Sequence, residues 1–142
     1  DADIAAAVAS RVATVTVAST VPAIRGATAA RPDKLQVFPY AIVAPSGDQI
    51  DYYASSRKVS CNFTVRLYLG SPTDFARRFP ALHTYRQALR DIFIGDVTLD
   101  GLVDLATVES TRIGVDSYGG DDFVTVEATV KAVKGELING EA

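Results

Sequence analysis

The sequence predicts an α+β domain: a mainly antiparallel sheet with an N-terminal helix and a longer central helix packed on one face, in the order α-β-β-α-β-β. Three observations carry that expectation. Apolar residues recur at helical spacing at the start of the chain, a second amphipathic helical stretch lies near its middle, and the segments after each of them alternate with the period of a strand. With 142 residues the chain is one domain long, residues 1–142. A domain of that size buries about 68–70% of the surface its unfolded chain exposes, so no staple is needed.

From Asp3 to about Ala18, Ile4, Ala7, Val8, Val12 and Val15 mark one helical face, and Asp3 complements the positive end of the helix dipole. β-Branched residues crowd the second half, where residues 13–17 also read as a short strand. Residues 19–34, with Pro22, Gly26 and Pro32, punctuate rather than pack and read as a surface connector. Residues 35–43 supply the first strand, with an edge, bulge or break expected at Pro39, which has no N–H to donate. Pro45-Ser46-Gly47-Asp48 reads as a turn that opens a long polar loop reaching Arg57.

Residues 58–69 have the clearest period in the chain. Val59, Cys61, Phe63, Val65, Leu67 and Leu69 alternate with Ser60, Asn62, Thr64, Arg66 and Tyr68, which gives one buried face and one wet face. Gly70-Ser71-Pro72-Thr73 ends that strand, and Ser71 or Thr73 caps a helix running to about Phe93, striped by Phe75, Phe79, Leu82, Leu89, Ile92 and Phe93. Pro80 either kinks this helix or sits in the first turn of a second piece. Residues 105–116 and 124–133 form the last two strands.

The formal net charge of -3 supplies no global basic footprint, so a sequence-independent grip on nucleic acid is not expected. The single cysteine, Cys61, excludes an intrachain disulfide and a cysteine-built zinc site, and reads as a small apolar residue in a reducing cell. No run of eighteen or more apolar residues occurs, and the Ala/Val-rich opening carries Asp1, Asp3 and Arg11 instead of a basic segment followed by an apolar one. A soluble protein made in the cytosol, with no membrane partner, is therefore expected. The chain starts at Asp1 and holds no methionine, so its first residues are read from their internal pattern alone.

Between the last two strands stands Ser117-Tyr118-Gly119-Gly120-Asp121-Asp122-Phe123, which resembles the RYGGDEF signature of diguanylate cyclases. Two glycines permit close approach to phosphate, and paired carboxylates suit magnesium. That family also carries an acidic position on an earlier strand followed by D-x-x-x-F-K-x-x-N-D, and a further helix and strands after the hairpin. Neither is present here, and the segment reads as hairpin-turn chemistry. His83 is the sole histidine and lies on the amphipathic helix; neither G-x-S-x-G nor a Walker loop occurs. Asp48, Asp51, Asp121 and Asp122 lack ligand spacing and read as loop carboxylates. No catalytic, cofactor-binding or metal-ligating residue is assigned, and a non-enzymatic role is expected.

The interface candidates are Tyr52, Tyr53, Arg57, Arg78, Arg86, Tyr118, Asp121 and Asp122. Positions 78, 82, 86 and 90 form a stripe along the helix, suited to an acidic partner or nucleic acid, or to solvent. Tyr52 and Tyr53 either anchor a contact or tuck back over the sheet.

Taken in order, these elements resemble the tail terminator (tail completion, minor tail) proteins of long-tailed bacteriophages. The resemblance rests on a leading helix, V-F-P-Y-A-I-V, the alternating K-V-S-C-N-F-T-V-R-L-Y-L, the helix F-A-R-R-F-P-A-L-H-T-Y-R-Q-A-L-R-D-I-F, and the closing D-S-Y-G-G-D-D-F-V-T-V-E-A-T-V. It implies a virion protein of the tail or neck, assembled in the host cytoplasm as a homohexameric ring. Its partners would be further copies of itself, the tail tube protein and the head-tail connector or stopper, with DNA passing through unbound and no cofactor. Another head-tail connector or tail-tube component is the alternative within the virion, and a nucleotide-binding enzyme the alternative outside it.

Overall fold

The computed structural model describes residues 2–14, 24–30, 32, 35, 38–70 and 79–137. Its elements are helix α1 (Ala2–Thr14), strands β1 (Gly26–Thr28), β2 (Tyr40–Tyr52) and β3 (Ser56–Gly70), helix α2 (Phe79–Arg90), and strands β4 (Leu105–Tyr118) and β5 (Asp121–Leu137). The order is thus α-β-β-β-α-β-β, which overturns the expected α-β-β-α-β-β. The additional strand is β1, three residues inside the presumed connector, which pairs in parallel with Tyr40–Ile42 of β2. Glycine and two small residues carry no period to read; this strand exists because the edge of β2 offers it a partner.

The five strands lie in the order β1-β2-β3-β5-β4, and every pairing except β1 with β2 is antiparallel. Sheet dominates, since β5 alone has 17 residues against 13 in α1 and 12 in α2. Among the described residues, α2 is therefore not the longer of the two helices. It opens at Phe79 with Pro80 in its first turn, where the missing N–H breaks no helical bond, and it gives way to turns from Asp91. The expected cap at Ser71 or Thr73 and the stripe residue Phe75 lie outside the described residues.

One face of the sheet carries both helices. Ala41, Leu67, Val126 and Ile113 form a row across β2, β3, β5 and β4, and the next row pairs Val43, Val65 and Ala128. Against these rows α1 buries Ile4, Val8 and Val12 while α2 buries Leu82, Tyr85 and Leu89, all in one apolar cluster. The spacing of three and four in each helix is what sends these side chains to a single side. Arg11 fastens the helices together: its guanidinium donates to the Ile92 carbonyl at 2.9 and 3.1 Å and to that of Ile94 at 3.1 Å. Those carbonyls lie just beyond α2, where helical partners have run out.

Two further expectations are corrected. Pro45-Ser46-Gly47-Asp48 is no turn; β2 runs through it, with a register shift between Pro45 and Gly47. A bulge tolerates Pro45, and Gly47 takes a φ of 140°, a conformation L side chains avoid. The polar loop to Arg57 is accordingly a projecting hairpin arm, with β2 paired to β3 as far as Tyr52 and Arg57.

Candidate functional site

The arm is the most exposed part of the sheet. Residues 44–52 of β2 are all exposed, and three large side chains stand on or beside them: Ile50 at 43%, Tyr52 at 66% and Tyr53 at 58% of their full accessibility. Register places Ile50 beside Val59 and Tyr52 beside Arg57, on the helix-bearing face but beyond the helices. Tyr52 and Tyr53 therefore project and do not tuck back over the sheet. Arg57 is held by its neighbour in β5, with Nε donating to Glu136 at 2.8 Å and a guanidinium–carboxylate contact of 2.7 Å. That hydrogen bond, together with the charge of Glu136, raises the Arg57 pKa.

The opposite face carries a polar network. Arg66 donates to Glu127 at 3.2 and 3.1 Å and reaches Asp116 at 3.5 Å; Tyr68 donates its hydroxyl to Asp116 at 2.9 Å, and Arg112 meets Glu127 at 3.2 Å. The row Arg66, Glu127, Arg112 spans β3, β5 and β4, so the alternation that buries the other face also aligns these charges. Two guanidinium groups meet two carboxylates, which leaves the cluster neutral. An aromatic group closes its end: Phe38 and Phe123 lie 5.3 Å apart, Tyr68 and Tyr118 5.5 Å, and Tyr68 and Phe123 6.0 Å. The Tyr118 hydroxyl donates to the Pro32 carbonyl, which ties the segment before β2 across this face.

Between that segment and the network lies a cavity of about 330 Å³, walled by Ala29, Thr64, Arg66, Tyr68, Asp116 and Tyr118 among others. Its charged groups are already engaged with each other, an arrangement that holds shape. A second, shallower recess of about 530 Å³ lies between α2 and β4, bounded by Arg86, Arg90 and residues 108–111. There Arg86 donates from Nε to the Thr111 hydroxyl at 2.8 Å.

The SYGGDDF segment is a two-residue hairpin turn. Tyr118 pairs with Asp121, and Gly119 and Gly120 between them have φ of 62° and 90°. Positive φ at both central residues is the turn that follows the twist of the flanking strands, and glycine takes it without a side-chain clash. Ser117 donates to Asp122 at 2.6 Å, Asp121 is exposed, and Tyr118 is buried.

The predicted interface residues do not form one surface. Asp121 starts β5 and the row of Tyr52, Arg57 and Glu136 lies near its other end. That separates the turn from the arm by roughly 50 Å at about 3.3 Å per strand residue. Asp48 and Asp51 are on the arm and so cannot share an ion with Asp121 and Asp122. Among the described residues no three His, Cys, Asp or Glu side chains cluster as metal ligands, and no helix is long and apolar enough to cross a membrane. Arg78 lies outside the described residues. Ile50, Arg112 and Val115 were missed as surface candidates; the signal available for Ile50 and Val115 was an apolar residue at a strand position with nothing left to cover it, while for Arg112 it was only a charge on the wet side of a strand.

No protein-family model matches the chain, and no curated protein sequence matches it.

Proposed function

We propose that this chain is a structural virion protein of the tail-terminator kind, the subunit of a ring that caps a phage tail tube, joins it to the head-tail connector and lets DNA pass. The observation that carries the reading is the arm: a hydrogen-bonded two-stranded projection whose large side chains Ile50, Tyr52 and Tyr53 face solvent in the monomer. Exposed aromatic residues on an ordered strand suit a protein contact, because they bring large apolar area at small cost in lost side-chain freedom. The neutral network on the open face and the formal charge of -3 suit a subunit that must let DNA slide through without gripping it.

Replacing Tyr52 and Tyr53 together by serine tests this reading. The double variant should keep the circular dichroism spectrum and unfolding midpoint of the parent. It should fail to join tail tubes to filled heads in an in vitro complementation read by electron microscopy. Normal particle assembly by the variant would sink the proposal. The size of the complex formed with isolated tail tubes separates a cap, which adds one ring per tube, from a tube subunit, which lengthens it.

A further inference from the structure

The sheet ends in two open edges, and their side chains complement one another. Beyond Ile42, where β1 stops, β2 has no outer neighbour among the described residues. At the other side β4 is the last strand, with one outer backbone bond near its start, from the Ala106 amide to the Val97 carbonyl at 2.7 Å. Among the described residues both edges lack backbone partners there, the condition under which one strand adds to another.

The exposed residues sort by face. On the helix-bearing face the arm shows Ile50 and Tyr52, and β4 shows Val115, exposed to 64%, next to half-buried Ile113. On the open face the arm shows Asp51, and β4 shows Arg112, whose side chain is 75% exposed while it touches Glu127. Apolar thus answers apolar on one side, and carboxylate answers guanidinium on the other. Chain direction agrees as well. Three successive antiparallel steps separate β2 from β4, so a following copy in the same orientation brings its β2 alongside β4 in the antiparallel sense.

From these observations we infer that a second copy of this chain docks its β2 arm, residues 47–52, on the outer edge of β4, residues 111–116, so that the sheet continues head to tail from subunit to subunit. The inference rests on the ring reading above and names its joint. A ladder that sets Asp51 beside Arg112 sets Ile50 beside Ile113, two residue pairs from Val115 and next to it on the same face. It displaces neighbouring copies by the eight residues of β5 between Gly135 and Glu127, the positions level with Lys58 and Arg112. That is roughly 26 Å along the strand. Such a stagger inclines the strands to the axis, as closing a sheet on itself requires. The contact uses different surfaces on the two copies, and repetition of that kind closes a ring when the rotation allows.

Two single-cysteine additions test the joint, because Cys61 is buried. Asp51→Cys mixed with Arg112→Cys should give a disulfide-linked dimer under mild oxidation, and either variant alone should not. Charge reversal supplies a second test: Asp51→Lys should weaken assembly at least about tenfold by sedimentation, since like charges face each other. Adding Arg112→Glu should restore it. Absence of the mixed cross-link, or failure of the second reversal to rescue the first, overturns the joint. Mass measurement of the same samples with tail tubes separates the two failures. Rings that form without the cross-link overturn the joint alone, whereas a protein that stays monomeric in every sample overturns the ring reading with it.

Discussion

β3 crosses two different environments between the same two neighbours, β2 and β5. From Cys61 to Leu69 its helix-facing side chains Cys61, Phe63, Val65, Leu67 and Leu69 are buried in the cluster that includes both helices. From Ser56 to Ser60 it backs the arm, where the paired residues of β2 are all exposed. Hydrogen bonding to both neighbours continues through the two halves with no change of partner. Backbone pairing therefore sets the shape of both regions, while covering by α1 and α2 supplies the apolar burial that makes one of them core. The arm keeps large side chains without that reward, which is why a partner is the natural account of them.

Substitutions should separate the halves by size of effect. The largest is Phe63→Ala in the covered half: Phe63 is 2% exposed and its removal leaves a cavity under the helices. A loss of about 3–5 kcal/mol in urea unfolding is expected. Gly120→Ala comes next. The added Cβ would meet no atom within 4 Å, so the whole cost is the left-handed backbone at φ 90°, about 1–2 kcal/mol. A neutral result would mean that the turn relaxes and that the hairpin is not fixed by its glycines.

Tyr68→Phe is smaller and depends on pH. The variant deletes the hydroxyl that donates to Asp116, for a loss of about 0.5–1.5 kcal/mol at neutral pH. Burial raises the Tyr68 phenol above its ordinary value of 10.0; Arg66 opposes the rise, and the hydrogen bond and charge of Asp116 add to it. The unfolded chain thus gives up this proton first as pH climbs, and the folded state binds more protons than the unfolded one. The phenol's contribution is complete below about pH 10 and is lost through the higher folded value, so the gap between parent and variant should narrow there. Cys61, whose thiol burial and Asp48 both push upward, loses its own share from about pH 9 in both proteins and cancels from the comparison. A gap that stayed constant across the alkaline range would place Tyr68 outside the network.

What could be read beforehand follows the same division. The alternation in residues 58–69 and the helical spacing of Ile4, Val8 and Val12 announced the covered half, because a period is visible wherever one face is buried. Gly119 and Gly120 announced their turn because only a positive-φ pair demands two glycines there. The arm was hidden by Pro45-Ser46-Gly47-Asp48, whose composition signals a turn although a bulge uses the same residues. β1 was hidden because three small residues show no pattern. The Arg66, Glu127 and Asp116 network was half visible: alternation put Arg66 and Tyr68 on one wet face, but register alone decides that Glu127 and Asp116 meet them.

The smallest expected effect on stability is also the sharpest test of the contrast between the halves. Ile50→Thr exchanges one β-branched side chain for another, so the preference for strand geometry is retained while apolar surface is lost. Ile50 is 43% exposed and sits on a stretch of β2 that no helix covers. Replacing an ethyl group already near water by a hydroxyl should change monomer stability by no more than about 0.5 kcal/mol. The same substitution takes apolar contact from the joint on every copy, so the concentration needed for half-assembly should rise several-fold by light scattering. Unfolding and assembly then move independently, as they must if the arm is contact surface and not core. An unfolding loss approaching that of Phe63→Ala would show instead that the arm is held by burial within its own chain, and the distinction between the two halves of β3 would fail.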